Sequence, residues 1–263
     1  MIIISWNING LRSYQKKADL QSFLTEHNAD ILNLQETKLV QDWSIEKNTQ
    51  LNNEWKVYQN LASCRKGYSG VATISKKDLT QIEMEVPNNR FITEGRLLGF
   101  QYKDLYLINV YMPQGGRTKE DVPYKLEICK YLQDMIQENF KKCVLTGDFN
   151  MACCELDLAR PKQNTNNNMF TIEERRMMQR FEETGLIDLF RYMYPDQKKY
   201  TWWPYAYNAR ERDIGWRLDY IYASRIIVPF IKRVEILSRA GGSDHCPVLI
   251  EIEEDAYENF SSN

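Results

Sequence analysis

The feature that most restricts how this chain can fold is a series of short apolar runs, each broken off by polar residues. Ile2-Ile3-Ile4 gives way to Ser5-Trp6-Asn7, Ile31-Leu32-Asn33-Leu34 to Gln35-Glu36, and Cys143-Val144-Leu145-Thr146 to Gly147-Asp148. Runs of about four to eight residues bounded in this way read as buried strands. Gly70-Val71-Ala72-Thr73-Ile74 is another, and Leu97 to Tyr102 with Leu105 to Tyr111 forms a hairpin across Lys103-Asp104. Later runs fall at Tyr200 to Trp203, Leu218 to Ala223, Val234 to Leu237 and Val248 to Ile252. Helical spacing interrupts the series at Leu20, Phe23 and Leu24, and again at Leu126, Cys129, Leu132, Ile136 and Phe140 behind Pro123. A third helix is announced by the capping-box spacing of Thr171 and Glu174, with Met177, Met178 and Phe181 on its apolar face and Gly185 placed to end it. About ten strands against three or four helices, joined largely by short polar turns, predict an α+β protein with mostly antiparallel sheets.

Composition agrees with one large domain. At 263 residues the chain could bury roughly three-quarters of its extended surface. A content of 43% hydrophobic and 27% charged residues, with 8 Pro and 12 Gly, excludes collagen-like and extensively disordered chains. No repeat or Pro/Ser-rich linker divides it, so residues 1–252 are expected to form a single domain and 253–263 a loosely ordered tail. The longest apolar runs fall far short of the ~18 residues that cross a bilayer, and no membrane partner is expected. The start, Met1-Ile2-Ile3-Ile4-Ser5-Trp6, has no basic segment of the secretory kind and reads as a strand. The 6 Cys lack C-x-x-C spacing, which fits reduced thiols and a cytoplasmic location better than zinc or disulfides. With 34 Lys+Arg against 36 Asp+Glu the net charge is −2, so any polyanionic partner must be met by a local patch or through metal ions.

The polar residues at the strand ends carry the chemistry. If those ends converge at one edge, Asn7, Glu36, Asp148, Asn150, Asp244 and His245 meet in one cleft. Hard oxygen ligands of this kind suit Mg²⁺, with Mn²⁺ as a substitute. Hydrolysis of a phosphodiester needs such a set: a divalent ion to offset phosphoryl charge, a carboxylate to deprotonate water, and amides to orient it. A histidine beside a carboxylate, its pKa raised, can donate to the developing phosphorane. Any one Asp or Asn at a strand end is ordinarily a turn former, and only their joint occurrence argues for a site. His27, at a helix end, is read as a solvated residue without function.

Eight segments in order resemble the exonuclease III family of abasic-site endonucleases, within the endonuclease/exonuclease/phosphatase superfamily. They are Ser-Trp-Asn-Ile-Asn-Gly-Leu-Arg at 5–12, Leu-Gln-Glu-Thr-Lys at 34–38, Tyr-Ser-Gly-Val-Ala at 68–72 and Glu-Gly-Arg at 94–96. The others are Tyr-Met-Pro at 111–113, Gly-Asp-Phe-Asn at 147–150, Trp-Arg-Leu-Asp-Tyr at 216–220 and Ser-Asp-His-Cys-Pro at 243–247. The resemblance implies a four-layer α/β-sandwich, two sheets face to face with helices outside. It implies a divalent-metal DNA repair nuclease that cuts 5′ to an abasic site and leaves a 3′-hydroxyl, with 3′ to 5′ exonuclease and 3′-end-cleaning activity. The implied partner is double-stranded DNA with abasic sites or 3′-blocked ends, and the implied state is a nucleoid-associated monomer.

By position, the resemblance assigns Glu36 as principal metal ligand, with Asn9 and Asp244 on the metal side. Asp148 would activate water, and Asn150 and Asn7 would orient water and phosphate. His245 would contact the phosphate with Asp219 as its carboxylate partner, and Tyr111 would lie beside the scissile bond. Trp202, Trp216, Leu218, Asn164, Asn167 and Phe170 would form the pocket for a flipped, baseless sugar. Basic residues near the cleft, Arg65, Lys66, Arg117, Lys119, Arg210 and Arg217, would meet DNA. Trp202 stands where relatives often have Phe, Cys153 where many have His, and Gln114 where many have Asn. Two other classes remain in view. One is a different phosphodiesterase of the superfamily, such as a nonspecific DNase or an inositol-polyphosphate or sphingomyelin hydrolase, against which the 216–220 segment argues. The other is a silent DNA-binding scaffold, against which the retained acids argue.

Overall fold

A computed structural model describes residues 1–43 and 51–253. The strands are β1 (Ile2–Asn7), β2 (Ile31–Gln35), β3 (Lys56–Asn60), β4 (Val71–Ser75), β5 (Thr80–Ile82), β6 (Leu97–Tyr102), β7 (Leu105–Tyr111), β8 (Cys143–Asp148), β9 (Leu186–Asp188), β10 (Asp219–Ser224), β11 (Ile231–Ile236) and β12 (Val248–Ile252). The helices are α1 (Leu11–Gln15), α2 (Leu20–Glu26), α3 (Asn89–Thr93), α4 (Val122–Asn139), α5 (Pro161–Asn164), α6 (Ile172–Glu183) and α7 (Leu189–Met193). The strands form two six-stranded sheets, ordered β11-β12-β1-β2-β4-β3 and β5-β6-β7-β8-β10-β9.

Parallel pairing occurs at β1–β2 and β7–β8, and the remaining pairs among the described residues are antiparallel. Both exceptions have a physical cause: a parallel neighbour needs a crossover, and α1–α2 and α4 supply one to each sheet.

Alternation along the strands builds four layers. In β1, Ile4 and Trp6 pack outward with Leu11, Tyr14, Leu20, Phe23 and Leu24 of α1 and α2, whereas Ile3 turns inward to a core shared with Val144, Leu107 and Ile221 of the other sheet. On the far side, Leu145, Ile108 and Tyr220 pack against Ile128, Cys129, Leu132, Met178 and Phe181 of α4 and α6. The layer between the sheets changes character along its length. Beyond its apolar half, Asn33 donates to Thr146 (2.9 Å) and Gln35 to Asn109 (2.8 Å) and Ser5 (3.1 Å), all buried. These buried polar groups bond one another across the two sheets, and the same inward rows continue to Asn7, Asp148 and Asp219.

The α+β sandwich is as expected, and β6, β7 and β12 have the expected bounds. The capping box at Thr171 closes from both sides. Other expectations change. Tyr200 to Trp203 is not a strand but carries isolated bridges from Trp202 to Trp216 and His245, because Pro204 and a loop follow. β3, β5 and β9 escape a pattern search, since β3 is only half-buried and the other two have 3 residues each. Of the expected tail, Glu253 pairs with Lys232 at 3.2 Å, and residues 254–263 lie outside the described residues. Among the described residues no helix is long and apolar enough to cross a membrane.

Candidate active site

Strand register does most of the assembly. Tyr111 of β7 and Asp219 of β10 are both register partners of Asp148 on the β8 between them, so three functional side chains stand in one row across the sheet. Asn7 ends β1 in the facing sheet, and its amide nitrogen donates to Asp148 Oδ2 at 2.8 Å and Glu36 Oε2 at 3.2 Å. Asp148 Oδ1 accepts from the Asn150 backbone N–H at 2.8 Å. That bond requires Asn150 to turn left-handed (φ 51), a conformation Asn tolerates better than most residues. The Asn150 side chain donates to the Met112 carbonyl at 2.9 Å.

His245 arrives from the loop before β12. Its Nδ1 lies 2.8 Å from Asp219 Oδ2 and its Nε2 3.8 Å from Asp148 Oδ2, all three residues buried. Burial alone would lower the imidazolium pKa, but Asp219 and Asp148 outweigh it and raise it to about 10. Asp148 is pushed up to about 7, first by burial and then by Asp219, against the pull of His245. These three groups lie close enough to hold an ion. With the imidazole protonated, as the two flanking carboxylates favour, the same cluster can pass protons. Burial, reinforced by Glu36 and Asp148, keeps the Tyr111 phenol protonated with a pKa well above its usual value, hence a donor.

The residues expected on the metal side form a second chain. Asp244 accepts from Asn9 Nδ2 at 2.8 Å and from Trp202 Nε1 at 3.0 Å. Asn9 Oδ1 and Glu36 Oε1 both meet the Lys38 ammonium, at 2.5 and 3.0 Å. A cation therefore already sits between two hard oxygens, and the Lys38 side chain is partly exposed. That donor set fits a divalent ion.

Beside this centre lies a cavity of about 380 Å³ lined by Arg117, Lys119, Asn167, Trp202 and Trp216 among others. Trp202 and Trp216 are paired backbone to backbone, and Trp202 is 6.3 Å from the His245 ring. Phe170 and Leu218 are buried beneath the two indoles. Trp203, next in the chain, turns to the core. Asn164 departs from expectation: its amide donates to the Arg160 carbonyl at 2.7 Å and accepts from Asn167 at 2.7 Å, which shapes the loop, while Asn168 lines the cavity in its place.

Among the basic residues, Arg65, Lys66 and Arg117 are exposed and Lys119 is half-buried at the cavity. Arg217 is corrected: it is 1% exposed and pairs with Asp157 at 2.8 Å and Asp188 at 2.7 Å. A guanidinium at that depth needs carboxylates and cannot reach DNA. Arg210 is corrected as well, because it donates to the carbonyls of Ser238, Ala240 and Ser243 and lies 4.7 Å over Trp203, bracing the loop that precedes His245. Replacing Arg217 by Met should leave buried Asp188 without its cation and Asp157 with Arg191 alone, and cost about 3–5 kcal/mol of stability. Chemical denaturation measures this; a loss confined to DNA affinity would restore Arg217 to the interface.

Sequence reasoning missed Lys38, although it closes the 34–38 segment. It also missed Arg96, which is buried over the Tyr111 ring at 4.5 Å and donates to Tyr68 at 3.0 Å. The helical stripe of α4 passes through buried Lys125, Ile128, Cys129, Leu132 and Ile136 rather than through Leu126.

The match to the endonuclease/exonuclease/phosphatase family spans residues 4–245. The exodeoxyribonuclease of Bacillus subtilis (strain 168) is 39% identical over 257 residues, covering 96% of this chain and 99% of that protein. The DNA repair nuclease APEX1 of Danio rerio is 35% identical, over 95% of this chain and 81% of that one. Among solved structures, the AP endonuclease LMAP from Leishmania major gives a TM-score of 0.87 at 25% identity, covering 96% of this chain and 87% of that chain. Fold, extent of match and identity together mean that the chain belongs to the endonuclease/exonuclease/phosphatase family and, within it, to the exonuclease III-like AP endonucleases, which are hydrolytic nucleases.

Proposed function

We propose that this nuclease hydrolyses the phosphodiester 5′ to an abasic site in double-stranded DNA, leaving a 3′-hydroxyl, and that the same centre removes 3′-terminal nucleotides and blocking groups. The reading rests above all on one juxtaposition. The Tyr111–Asp148–Asp219–His245 cluster stands directly beside an indole-walled cavity, so a sugar flipped onto Trp202 and Trp216 carries its 5′ phosphate to the proton-handling groups.

Asp148, with one oxygen held by Asn7 and the other by the Asn150 N–H, takes a proton from the attacking water. A base with a pKa of about 7 is matched to neutral pH. His245 and Tyr111 donate to the phosphoryl oxygens as charge builds there. The water oxygen bonds to phosphorus as the P–O3′ bond breaks, and the upstream 3′ oxygen leaves, taking a proton from solvent to become the hydroxyl. Glu36 and Asn9 would hold Mg²⁺, for which Mn²⁺ would substitute, and Asp244 fixes Asn9; the ion supplies charge that offsets the phosphate. Arg65, Lys66, Arg117 and Lys119 supply the local positive charge that a chain of net charge −2 needs to hold DNA.

Replacement of Glu36 by Gln should raise the Mg²⁺ midpoint of cleavage by at least about tenfold, with part of the activity recovered at high Mg²⁺. A 5′-labelled abasic duplex reports both the rate and, by polymerase extension of the product, the 3′-hydroxyl. A titration that superimposes on wild type would remove Glu36 from the metal site, and a non-extendable product would place the cut on the wrong side of the phosphate.

A further inference from the structure

Lys125 and Glu174 are fully buried and meet at 2.5 Å. Taking two charges out of water is costly, and an apolar pair of similar volume would often stabilise a helix–helix contact as well or better. The α4–α6 contact does not depend on them, because Ile128, Cys129, Leu132, Met178 and Phe181 already pack there and Gln133 donates to the Met177 carbonyl at 2.7 Å. What an apolar pair could not provide is the remaining set of bonds. Lys125 Nζ also donates to the Asn150 carbonyl at 2.9 Å. Glu174 accepts from the Met169 N–H at 3.2 Å and the Thr171 N–H at 2.9 Å.

Those partners belong to two loops with different tasks. The Asn150 carbonyl belongs to the left-handed residue whose N–H fixes Asp148 Oδ1. Met169, also left-handed (φ 74), immediately precedes Phe170 beneath the indole pocket, and its carbonyl accepts from the Ala152 N–H at 2.8 Å. A charge-assisted bond is stronger and more directional than a neutral one. Here three such bonds meet at one ion pair, and those to Asn150 and Met169 each hold a left-handed backbone turn.

We propose that the buried Lys125–Glu174 pair is a positioning device that ties the pocket loop 167–171 to the catalytic loop 148–152, so that Asp148 is aimed at the phosphate of the sugar the pocket has accepted. Neither residue touches DNA. Loss of the pair frees the Asn150 carbonyl to rotate, the N–H on the same residue drifts from Asp148, and the base is no longer fixed against the water it must deprotonate. Displacements of about 1 Å in such geometry cost up to about 100-fold in rate. Binding, which rests on the exposed basic residues and the indoles, is left as it was.

The proposal rests on Asp148 and Asn150 acting as described above, so wild-type protein is measured first on an abasic duplex; absence of cleavage there would count against the function rather than the pair. Steady-state rates are then taken for Lys125→Met, Glu174→Gln and a core control in the same helix, Leu132→Ala, each well below its own melting temperature. The expected result is a kcat about 10- to 100-fold down with KM within about twofold for both pair variants, and a wild-type kcat for the control. Glu174→Gln keeps an acceptor for the α6 cap and decides the matter if Lys125→Met fails to fold. A wild-type kcat in Glu174→Gln, or an equal fall in Leu132→Ala, would overturn the proposal and leave the pair a purely structural one.

Discussion

Asp148→Asn should abolish most cleavage, by about 10²- to 10⁴-fold in kcat, while abasic DNA still binds. An amide fills the same space but cannot take a proton from water. Its geometry is also compromised in a definite way. Both Asp148 oxygens accept hydrogen bonds, one from Asn7 and one from the Asn150 N–H, so an amide NH₂ must face one of two donors. A second consequence follows for His245, whose raised pKa depends partly on Asp148. The variant should therefore lose its general base and also hold its imidazolium less firmly. Single-turnover rates with a separate binding titration distinguish the effects, and wild-type turnover would remove Asp148 from the role of base.

The second large effect concerns His245, on the loop before β12, and Asp219, the first residue of β10, which join at 2.8 Å. Alanine at either position should depress the rate strongly. The double variant should lose far less than the product of the two single losses, because groups that act as a unit are non-additive. The pH profile supplies an independent check. Activity that needs ionised Asp148 and protonated His245 rises through about pH 7 and falls through about pH 10. Asp219→Asn removes a negative charge that raises both pKa values. Protons then leave both groups more readily, so both limbs move to lower pH, the alkaline one because burial of the imidazolium has lost the larger of the two carboxylates that offset it. Strict additivity with unmoved limbs would mean that the two residues work independently.

Much of this site was legible because it lies where β-structure has the simplest rules. Asn7, Asp148 and Asp219 are polar residues at inward positions of otherwise apolar strands, and period-two alternation plus register suffices to bring them together. The hairpin of β6 and β7 was readable for the same reason. Arg217 misled because charge in a sequence reads as surface, and only the fold shows that Asp157 and Asp188 meet it inside. Lys125 was hidden by the same expectation, although it sits on the buried stripe of α4 at the spacing an apolar residue would occupy, and Glu174 was legible only as a helix cap, not as its partner. Trp202 could be placed on the cleft side only by resemblance, since Tyr200 to Trp203 makes no regular ladder and its neighbours are set by single bridges to Trp216 and His245. Glu36 and Asn9 lie at left-handed turns just beyond β2 and β1, where side-chain direction depends on backbone angles that no periodicity predicts.

The central question is whether this centre cuts the DNA backbone at abasic sites with the help of a divalent ion. Initial rates on an abasic duplex, an otherwise identical intact duplex and a phosphoinositide, each with Mg²⁺ or with EDTA, measure that directly. The result expected is rapid internal incision of the abasic duplex with Mg²⁺ alone, removal of nucleotides from the intact duplex only at its 3′ ends, and no release of phosphate from the lipid. Internal cutting of the intact duplex at an equal rate, hydrolysis of the phosphoinositide, or cleavage that persists in EDTA would contradict it.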